Sequence, residues 1–281
     1  MIAVTLEQGL ICAVLAMGVY ITYKILDFPD LSVEGSFPLG AFVFAKFSMM
    51  SFNPFLATFL GMAAGALVGL FTYILNIKLK IKPILAGILS MTFMYSIVLR
   101  VNDSSNISII NNPTVFDFAG ALWTLLGFVL LCKFALDWFF KTEIGYLLIA
   151  TGDNETFVRS IGQNEERYKL IGLMISNALV GLSGALMTQS LGFSDISMKN
   201  GIIVSALASI IVGDAFFPKL SVLKNTTRAL LGAMIYKSIG SLAIKMGLKP
   251  NDLQAISAII VILFLAQSHF GIRKIFDRKS G

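Results

Sequence analysis

Two short polar stretches interrupt the apolar runs of this sequence, and they carry the acidic and hydroxyl side chains best suited to chemistry. FPDLSVEG covers residues 28–35, and FSDISMKN covers residues 193–200. Acidic side chains inside a membrane are costly and commonly mark a pathway for ions or solutes. At a membrane surface, Asp and Ser would instead cap the helix that follows. We predict one of these two roles, a translocation pathway or gate or helix capping, for Asp30, Ser32, Glu34, Ser36, Asp195 and Ser197.

The two stretches form an internal repeat. Identical residues occupy three matching positions: Phe28 and Phe193, Asp30 and Asp195, and Ser32 and Ser197. Glu34 in the first copy corresponds to Lys199 in the second, so the copies differ in charge. Each copy follows a long apolar run and precedes a short one. Inverted repeats with interrupted helices are a transporter design that places substrate sites near the membrane midplane.

The composition identifies an integral membrane protein. Of the 281 residues, 56% are hydrophobic and only 14% are charged, and the mean hydropathy is +0.82. Soluble domains carry about 25% charged residues. Continuous apolar runs of the length needed to cross a bilayer favour helices over an alternating barrel. We predict an all-α polytopic helix bundle of about eight to ten spans, with apolar segments at 9–27, 36–50, 55–77, 84–101, 119–140, 168–191, 200–217, 229–247 and 253–270.

Lysine and arginine in the connections predict the orientation of these segments. The basic connections are 78–82, 141–169, 219–228 and the C-terminal tail, whereas 102–118 contains neither Lys nor Arg. Placing the basic connections in the cytoplasm gives a consistent alternation, with the N-terminus outside and the C-terminus inside. The second and seventh segments are short, so we expect them to be tilted, interrupted or re-entrant.

The longest polar connection is 141–169, and its length suggests a specific role. Connections between spans of a compact bundle are usually much shorter. Its apolar spacing is helical and is broken at Gly152 and Gly162. Asp153 or Asn154 could cap a helix of about two turns that ends at Gly162. We interpret 141–169 either as a docking element for a cytoplasmic partner or as a plain solvated loop.

The remaining motifs indicate packing and exclude several kinds of site. Gly61, Gly65 and Gly69 lie four residues apart, a spacing that allows close helix packing in lipid. No Lys-Ser/Thr follows them, so they do not form a phosphate-binding loop. The sequence shows no metal-ligand spacing and no convincing nucleophile–base set. We therefore expect a transport subunit rather than an enzyme, with no catalytic residues, bound metal or cofactor, and we assign the net charge of +6 to membrane orientation rather than to nucleic-acid binding.

Four motifs together resemble the permease subunits of bacterial ATP-binding-cassette (ABC) importers. They are LDFPDLSVEGSFPLGAF (26–42), LAGILSMTFMYSIVLR (85–100), KTEIGYLLIATGDNE (141–155) and LIGLMISNALVGLSGALMTQSLGFSDISMKNG (170–201). The resemblance covers nearly the whole chain, and its closest group is the uncharacterised or tryptophan/tyrosine-type branch related to branched-chain amino-acid permeases. Two positions depart from the usual pattern: the family's Leu-Gly is Ile144-Gly145 here, and Ile149 replaces an expected arginine.

The resemblance implies a single permease domain over 1–281 in the bacterial cytoplasmic membrane. It implies three partners: a second permease copy or a closely similar permease, cytoplasmic ATP-binding subunits that consume the ATP, and an extracellular or periplasmic solute-binding protein. It also implies that 141–169 couples the bundle to the ATPases through Thr142, Glu143, Gly145, Gly152, Asp153, Asn154 and Gly162. The implied solute is an amino acid, with aromatic ones favoured. An ion-gradient-driven secondary transporter is the alternative, supported by the inverted repeat and the acidic residues in apolar surroundings.

Overall fold

The computed structural model describes residues 2–217 and 225–247, together with a few positions between 252 and 262. The described chain is almost entirely helical, as predicted. Its first part contains α1 (Ile2–Tyr20, continued by a π-helical turn Ile21–Ile25), α2 (Val33–Met49), α3 (Pro54–Tyr73, continued by a π-helical turn Ile74–Lys78), α4 (Pro83–Asn102), β1 (Asn106–Ser108), α5 (Phe116–Ala119) and α6 (Ala121–Phe139). The second part contains α7 (Glu143–Asp153), α8 (Glu155–Ser160), α9 (Glu165–Leu191), β2 (Phe193–Asp195), a 3₁₀ turn (Ile196–Lys199), α10 (Ile202–Phe216) and α11 (Asn225–Lys245).

Local sequence signals explain where several of the helices begin and end. α3 and α4 start with Pro54 and Pro83, a position where the missing N–H has no helical partner to lose. The Asn53 side chain caps α3 by accepting a hydrogen bond from the Phe55 amide. At the C-terminal end of α9, the longest of the described helices, Gly192 adopts a left-handed conformation with φ of 75°. Such a residue ends a helix because the chain leaves the helical path there.

Six of the described helices are long and apolar enough to cross a membrane. They are Ala3–Ile25, Pro54–Lys78, Pro83–Asn102, Ala121–Phe139, Glu165–Leu191 and Ile196–Phe216. The two segments predicted to be short contain helices of only 17 and 15 residues, α2 and α10. α11 covers all but the last two residues of the eighth predicted segment. The ninth segment, 253–270, lies largely outside the described residues, as do most of 219–228 and the basic tail.

The connections gather at two opposite ends of the bundle. At one end, Lys78 after α3 forms a 2.8 Å ion pair with Glu166 at the start of α9. At the other end, β1 pairs antiparallel with β2, joining the connection after α4 to the connection after α9. The basic segments 78–82 and 141–169 therefore share one end, which the distribution of Lys and Arg assigns to the cytoplasm. Residues 102–118 lie at the outer end.

The packing of the helices follows the predicted inverted repeat. α9 packs against α2 and α3, whereas α1 packs against α10 and α11. If α1, α2 and α3 correspond to α9, α10 and α11, then the first helix of each half is buried against the second and third helices of the other half. α1 runs toward the cytoplasmic end and α9 runs away from it, so the halves have opposite orientation. Because each half packs its first helix against the other half, the two halves share one core.

Small residues make the contact between α3 and α9 close. Gly61, Gly65 and Gly69 lie on the face of α3 that meets α9. A Cβ atom on Gly65 would lie 2.2 Å from the Asn177 carbonyl oxygen, and one on Gly69 would lie 2.3 Å from that of Leu173. On α9, Gly181 contacts the backbone of Gly61 and Gly65. The absence of side chains therefore lets two backbones meet, which is the main source of helix association in lipid.

We predict that Gly65→Leu separates α3 from α9 and destabilises the bundle by about 3 kcal/mol or more, because the added side chain meets backbone that cannot move aside. Gly127→Leu is the matched control, since a Cβ on Gly127 has no neighbour within 4 Å. Thermal unfolding of the purified chain in detergent measures both variants. Equal unfolding midpoints for the two variants would contradict the assignment of this stripe to packing.

Candidate translocation site

The first polar stretch is an irregular segment inside the bundle. After α1, the chain turns at Asp27, whose φ is 48°, and the Phe28 amide returns to donate a 2.9 Å hydrogen bond to the Thr22 carbonyl. Phe28, Asp30 and Ser32 are buried. Non-helical backbone is tolerated at membrane depth only where protein or a water-filled cavity surrounds it. Residues 26–32 meet that requirement by packing between α1, α4 and α9.

Asp30 stands at the centre of a buried polar network. One carboxylate oxygen accepts from the Ser32 amide at 2.9 Å and from the Ser32 hydroxyl at 2.5 Å. The other oxygen accepts from the Asn177 side-chain amide of α9 at 2.8 Å. The Asn177 side-chain oxygen accepts in turn from the Ser36 hydroxyl of α2. The network thus brings together Asp30, Ser32 and Ser36 of the predicted set and links the irregular segment to two helices.

Sequence reasoning missed Asn177. It lies in the middle of the long apolar run of α9, where it is completely buried. A polar amide in such a run is a signal in itself, because it must find partners within the membrane. Its NH₂ group bonds both Asp30 and the Leu173 carbonyl, so both of its donors are used. Asn177 is therefore the residue that satisfies the Asp30 carboxylate, for which the described residues include no ion-pair partner.

The second polar stretch repeats the local geometry of the first in another environment. Asp195 accepts from the Ser197 amide at 2.7 Å and from the Ser197 hydroxyl, as Asp30 does from Ser32. Its other oxygen accepts a 2.9 Å bond from the side chain of Asn106, across the β1–β2 pair. The Ser197 hydroxyl, the Ser197 amide and Asn106 hold the pKa of the Asp195 carboxyl below its usual value. The second copy lies nearer the outer end, and Asp195 shares no hydrogen-bond partner with Asp30.

Both copies therefore cap the turn that follows them, but only the first is buried. Glu34, in the first turn of α2, is half-buried and stands apart from the Asp30 network. Its neighbour Gly35 packs against Met91 and Met94 of α4. Capping alone explains the local hydrogen bonds at Asp30 and Asp195. It does not explain why a carboxylate is placed deep among helices, so a role of Asp30 in the pathway stays a prediction.

The 141–169 segment forms two helices rather than one. The Thr142 hydroxyl caps α7 by accepting from the Gly145 amide, and Glu143 lies in its first turn. The predicted break at Gly152 is wrong by two residues, because α7 continues through Gly152 to Asp153. Asn154 caps α8 by accepting from the Phe157 amide, so it fills the role left open between Asp153 and Asn154. Gly162 follows α8 with φ of 78°, as expected for a residue that ends a helix.

Close contacts and ion pairs join these two helices to the bundle. A Cβ on Gly152 would lie 1.7 Å from the Ile25 carbonyl oxygen, so α7 rests directly on the end of α1. A Cβ on Gly145 would lie 2.2 Å from the Phe139 carbonyl oxygen, so the start of α7 also lies directly against the end of α6. Glu155 of α8 pairs with Lys169 of α9 at 2.7 Å. Arg159 of α8 pairs with Glu165 at 2.5 Å. The segment therefore contacts α1 just before the irregular stretch and contacts α9, the helix that carries Asn177.

Comparison with known proteins decides which kind of transport protein has this architecture. The family model for the permease component of branched-chain amino acid transport systems matches residues 1–266. The chain belongs to this family. It is 43% identical to a tyrosine transport system permease protein of Clostridioides difficile, over 95% of this chain and 91% of the relative. No solved structure is significantly similar to it.

More distant relatives of this permease are named for other solutes. A probable branched-chain amino acid transport permease of Methanocaldococcus jannaschii is 26% identical, over 79% of this chain and 73% of the relative. A ribose import permease of Escherichia coli is 23% identical, over 74% of this chain and 67% of the relative. The chain is thus an ABC-type permease subunit and a multi-pass protein of the inner membrane. Membership in this family favours the ABC permease over the ion-driven secondary transporter.

We predict that Asp30→Asn lowers uptake while the protein still assembles. The Asn amide can keep one acceptor oxygen, but its NH₂ group would face the Asn177 donor or the Ser32 donors. The mismatch should cost about 1–3 kcal/mol at this site. Uptake by the reconstituted transporter and the unfolding midpoint in detergent measure the effect. Asp195→Asn is the comparison, since water can replace the partners that it loses, and unchanged transport by Asp30→Asn would leave capping as the function of Asp30.

Proposed function

We propose that this permease forms the membrane pathway of an ATP-driven importer for tyrosine or a closely related aromatic amino acid. The observation that carries the proposal is the 43% identity to a tyrosine transport permease over almost the full length of both chains. Two cytoplasmic ATPase subunits supply the energy, and a solute-binding protein on the outer side delivers the amino acid. A second copy of this chain completes the pathway.

Contacts of the 141–169 segment support a route for the ATPase motion into the membrane. α7 and α8 lie at the cytoplasmic end and expose Tyr146, Phe157 and Ile161. A partner that moves these helices would push on α1 through Gly152 and on α9 through the pairs Glu155–Lys169 and Arg159–Glu165. α1 leads into residues 26–32, and α9 carries Asn177. Rigid-body movement of this kind changes which side of a transporter is open.

The exposed apolar faces of α4 and α6 support the pairing of two permease chains. Within the single chain, less than a third of the apolar core of each helix is buried, compared with almost three quarters for α9. Lipid can cover such faces, and so can a second copy of the chain. At the outer end, the β1–β2 pair and the exposed loop around Ile110 and Phe118 offer a surface for the solute-binding protein.

Reconstitution tests the substrate directly. We expect the permease, co-expressed with its ATPase and binding protein, to carry radiolabelled tyrosine into liposomes when ATP is supplied on the ATPase side. Unlabelled phenylalanine and tryptophan should compete better than leucine, because the solute is recognised by its aromatic ring. Uptake of ribose or a nucleoside in place of amino acids, as the names of more distant relatives suggest for those proteins, would contradict the proposal.

We predict that Gly152→Ala weakens coupling between ATP hydrolysis and uptake at least about tenfold, since a displacement of α7 from α1 misplaces the contact that transmits the motion. The variant should still bind its ATPase. The ratio of tyrosine imported to ATP hydrolysed is the measurement. Gly127→Ala is the control, because it adds the same methyl group where no neighbour lies within 4 Å. A wild-type ratio in Gly152→Ala would remove this contact from the coupling route.

A further inference from the structure

A cluster of two charged residues and a tyrosine lies apart from the Asp30 network, and neither the capping bonds nor the coupling route uses it. The 3₁₀ turn Ile196–Lys199 packs against α2. The Lys199 ammonium lies over the ring of Tyr95 on α4, 4.5 Å from its centroid. Glu34 belongs to the turn of α2 that packs on α4, where Gly35 lies against Met91 and Met94, next to Tyr95. Glu34, Tyr95 and Lys199 therefore converge from three separate elements.

The inverted repeat relates Glu34 to Lys199. The two residues occupy the same position in the repeated stretches 28–35 and 193–200. Residues that a pseudo-two-fold axis relates come close together only where they lie near that axis. Such an axis also marks the place where substrate sites of repeat-built transporters occur. At this place the two copies carry opposite charges.

The cluster is open and lies at membrane depth. Tyr95 is seven residues from the outer end of α4, about 10 Å along the helix. Its side chain is 41% exposed, and Glu34 and Lys199 are each half-buried. Partly exposed charged side chains at this depth cost free energy if they face lipid, whereas they can bind a solute if they face the transport pathway. The cluster differs in this respect from the Asp30 network, whose polar groups are closed off by one another.

We propose that Glu34, Tyr95 and Lys199 form a transient binding site for the zwitterionic part of an α-amino acid on its way through the permease. The inference rests on the proposed function and adds to it the contact that recognises the solute class. The Lys199 ammonium pairs with the α-carboxylate, the Glu34 carboxylate accepts from the α-ammonium, and the side chain of the solute lies along the exposed Tyr95 ring. A neutral sugar offers neither charge.

Tyrosine uptake by the reconstituted complex tests the charges. We expect Lys199→Gln and Glu34→Gln each to lower the number of tyrosines imported per ATP by about tenfold, as for loss of a charged hydrogen bond. Stimulation of ATP hydrolysis by the loaded binding protein should persist, because the coupling helices are untouched. Lys237→Gln is the matched control, since Lys237 also lies beside a tyrosine ring, that of Tyr236, but on α11. It should transport normally.

Three outcomes would overturn the inference, and the third would overturn the proposed function as well. Normal tyrosine transport by both charge variants shows that the cluster does not contact the solute. Loss of transport together with loss of assembly or of ATPase stimulation shows that Glu34 and Lys199 only hold the two polar segments together. A wild-type complex that imports no amino acid at all overturns the proposed function and this inference with it.

Cysteine labelling provides a readout that does not depend on transport rates. Both natural cysteines, Cys12 and Cys132, are buried, so a Thr92→Cys variant, at an exposed position one turn before Tyr95 on α4, presents a new accessible thiol and leaves the three residues of the cluster in place. We expect a polar thiol reagent to modify this thiol and millimolar tyrosine to protect it at least about threefold during turnover, because a bound solute covers the site. Ribose at the same concentration should not protect. Equal labelling rates with and without tyrosine would overturn the inference.

Discussion

The hydrogen bond from Asn177 to Asp30 is the interaction on which the rest of the structure depends. It satisfies a carboxylate that lies among helices without a neighbouring cation in the described part of the chain. It also fixes the irregular residues 26–32 between α1 and α2, so it decides where α2 can begin. An unsatisfied carboxylate here would be far more costly than the loss of one ordinary hydrogen bond. The structure of the first half of the molecule therefore depends on the position of α9, a helix of the second half.

The glycine stripe makes this bond possible. Asn177 can reach Asp30 only if α9 lies very close to α2 and α3, and that distance is set by Gly65 opposite the Asn177 carbonyl and by Gly40 opposite Gly181. Packing and polar pairing are thus two parts of one contact. The exchange of α1 and α9 between the halves extends this contact, because α9 packs against α2 and α3, while α1 packs against α10 and α11. Motion at the cytoplasmic end of α9 consequently affects both halves.

Much of this arrangement could be predicted from the sequence, for reasons that are local. The length of the apolar runs predicted membrane-spanning helices, and the glycine spacing predicted the packing face of α3. The two Asp-x-Ser pairs predicted the same capped turn twice. The depth of each turn could not be predicted, because burial of Asp30 and exposure of Asp195 depend on Asn177 and Asn106, which are distant in sequence. The end of α7 was misplaced because Gly152 suggested a break. Its real constraint is the Ile25 carbonyl, which leaves room for no side chain.

The difference between the two copies of the repeat matters as much as their likeness. Identical Asp and Ser residues build equivalent turns, one beside α9 and one beside the β1–β2 pair, and this symmetry alone would give equal inner and outer halves. Two features break it. Asn177 closes the inner copy by pairing with its carboxylate, and the exchange of Glu34 for Lys199 places opposite charges at equivalent positions. Under the proposed function, a solute would therefore meet different charges at the two copies of the repeat. The repeat supplies the scaffold, and its unequal residues make the two halves chemically different.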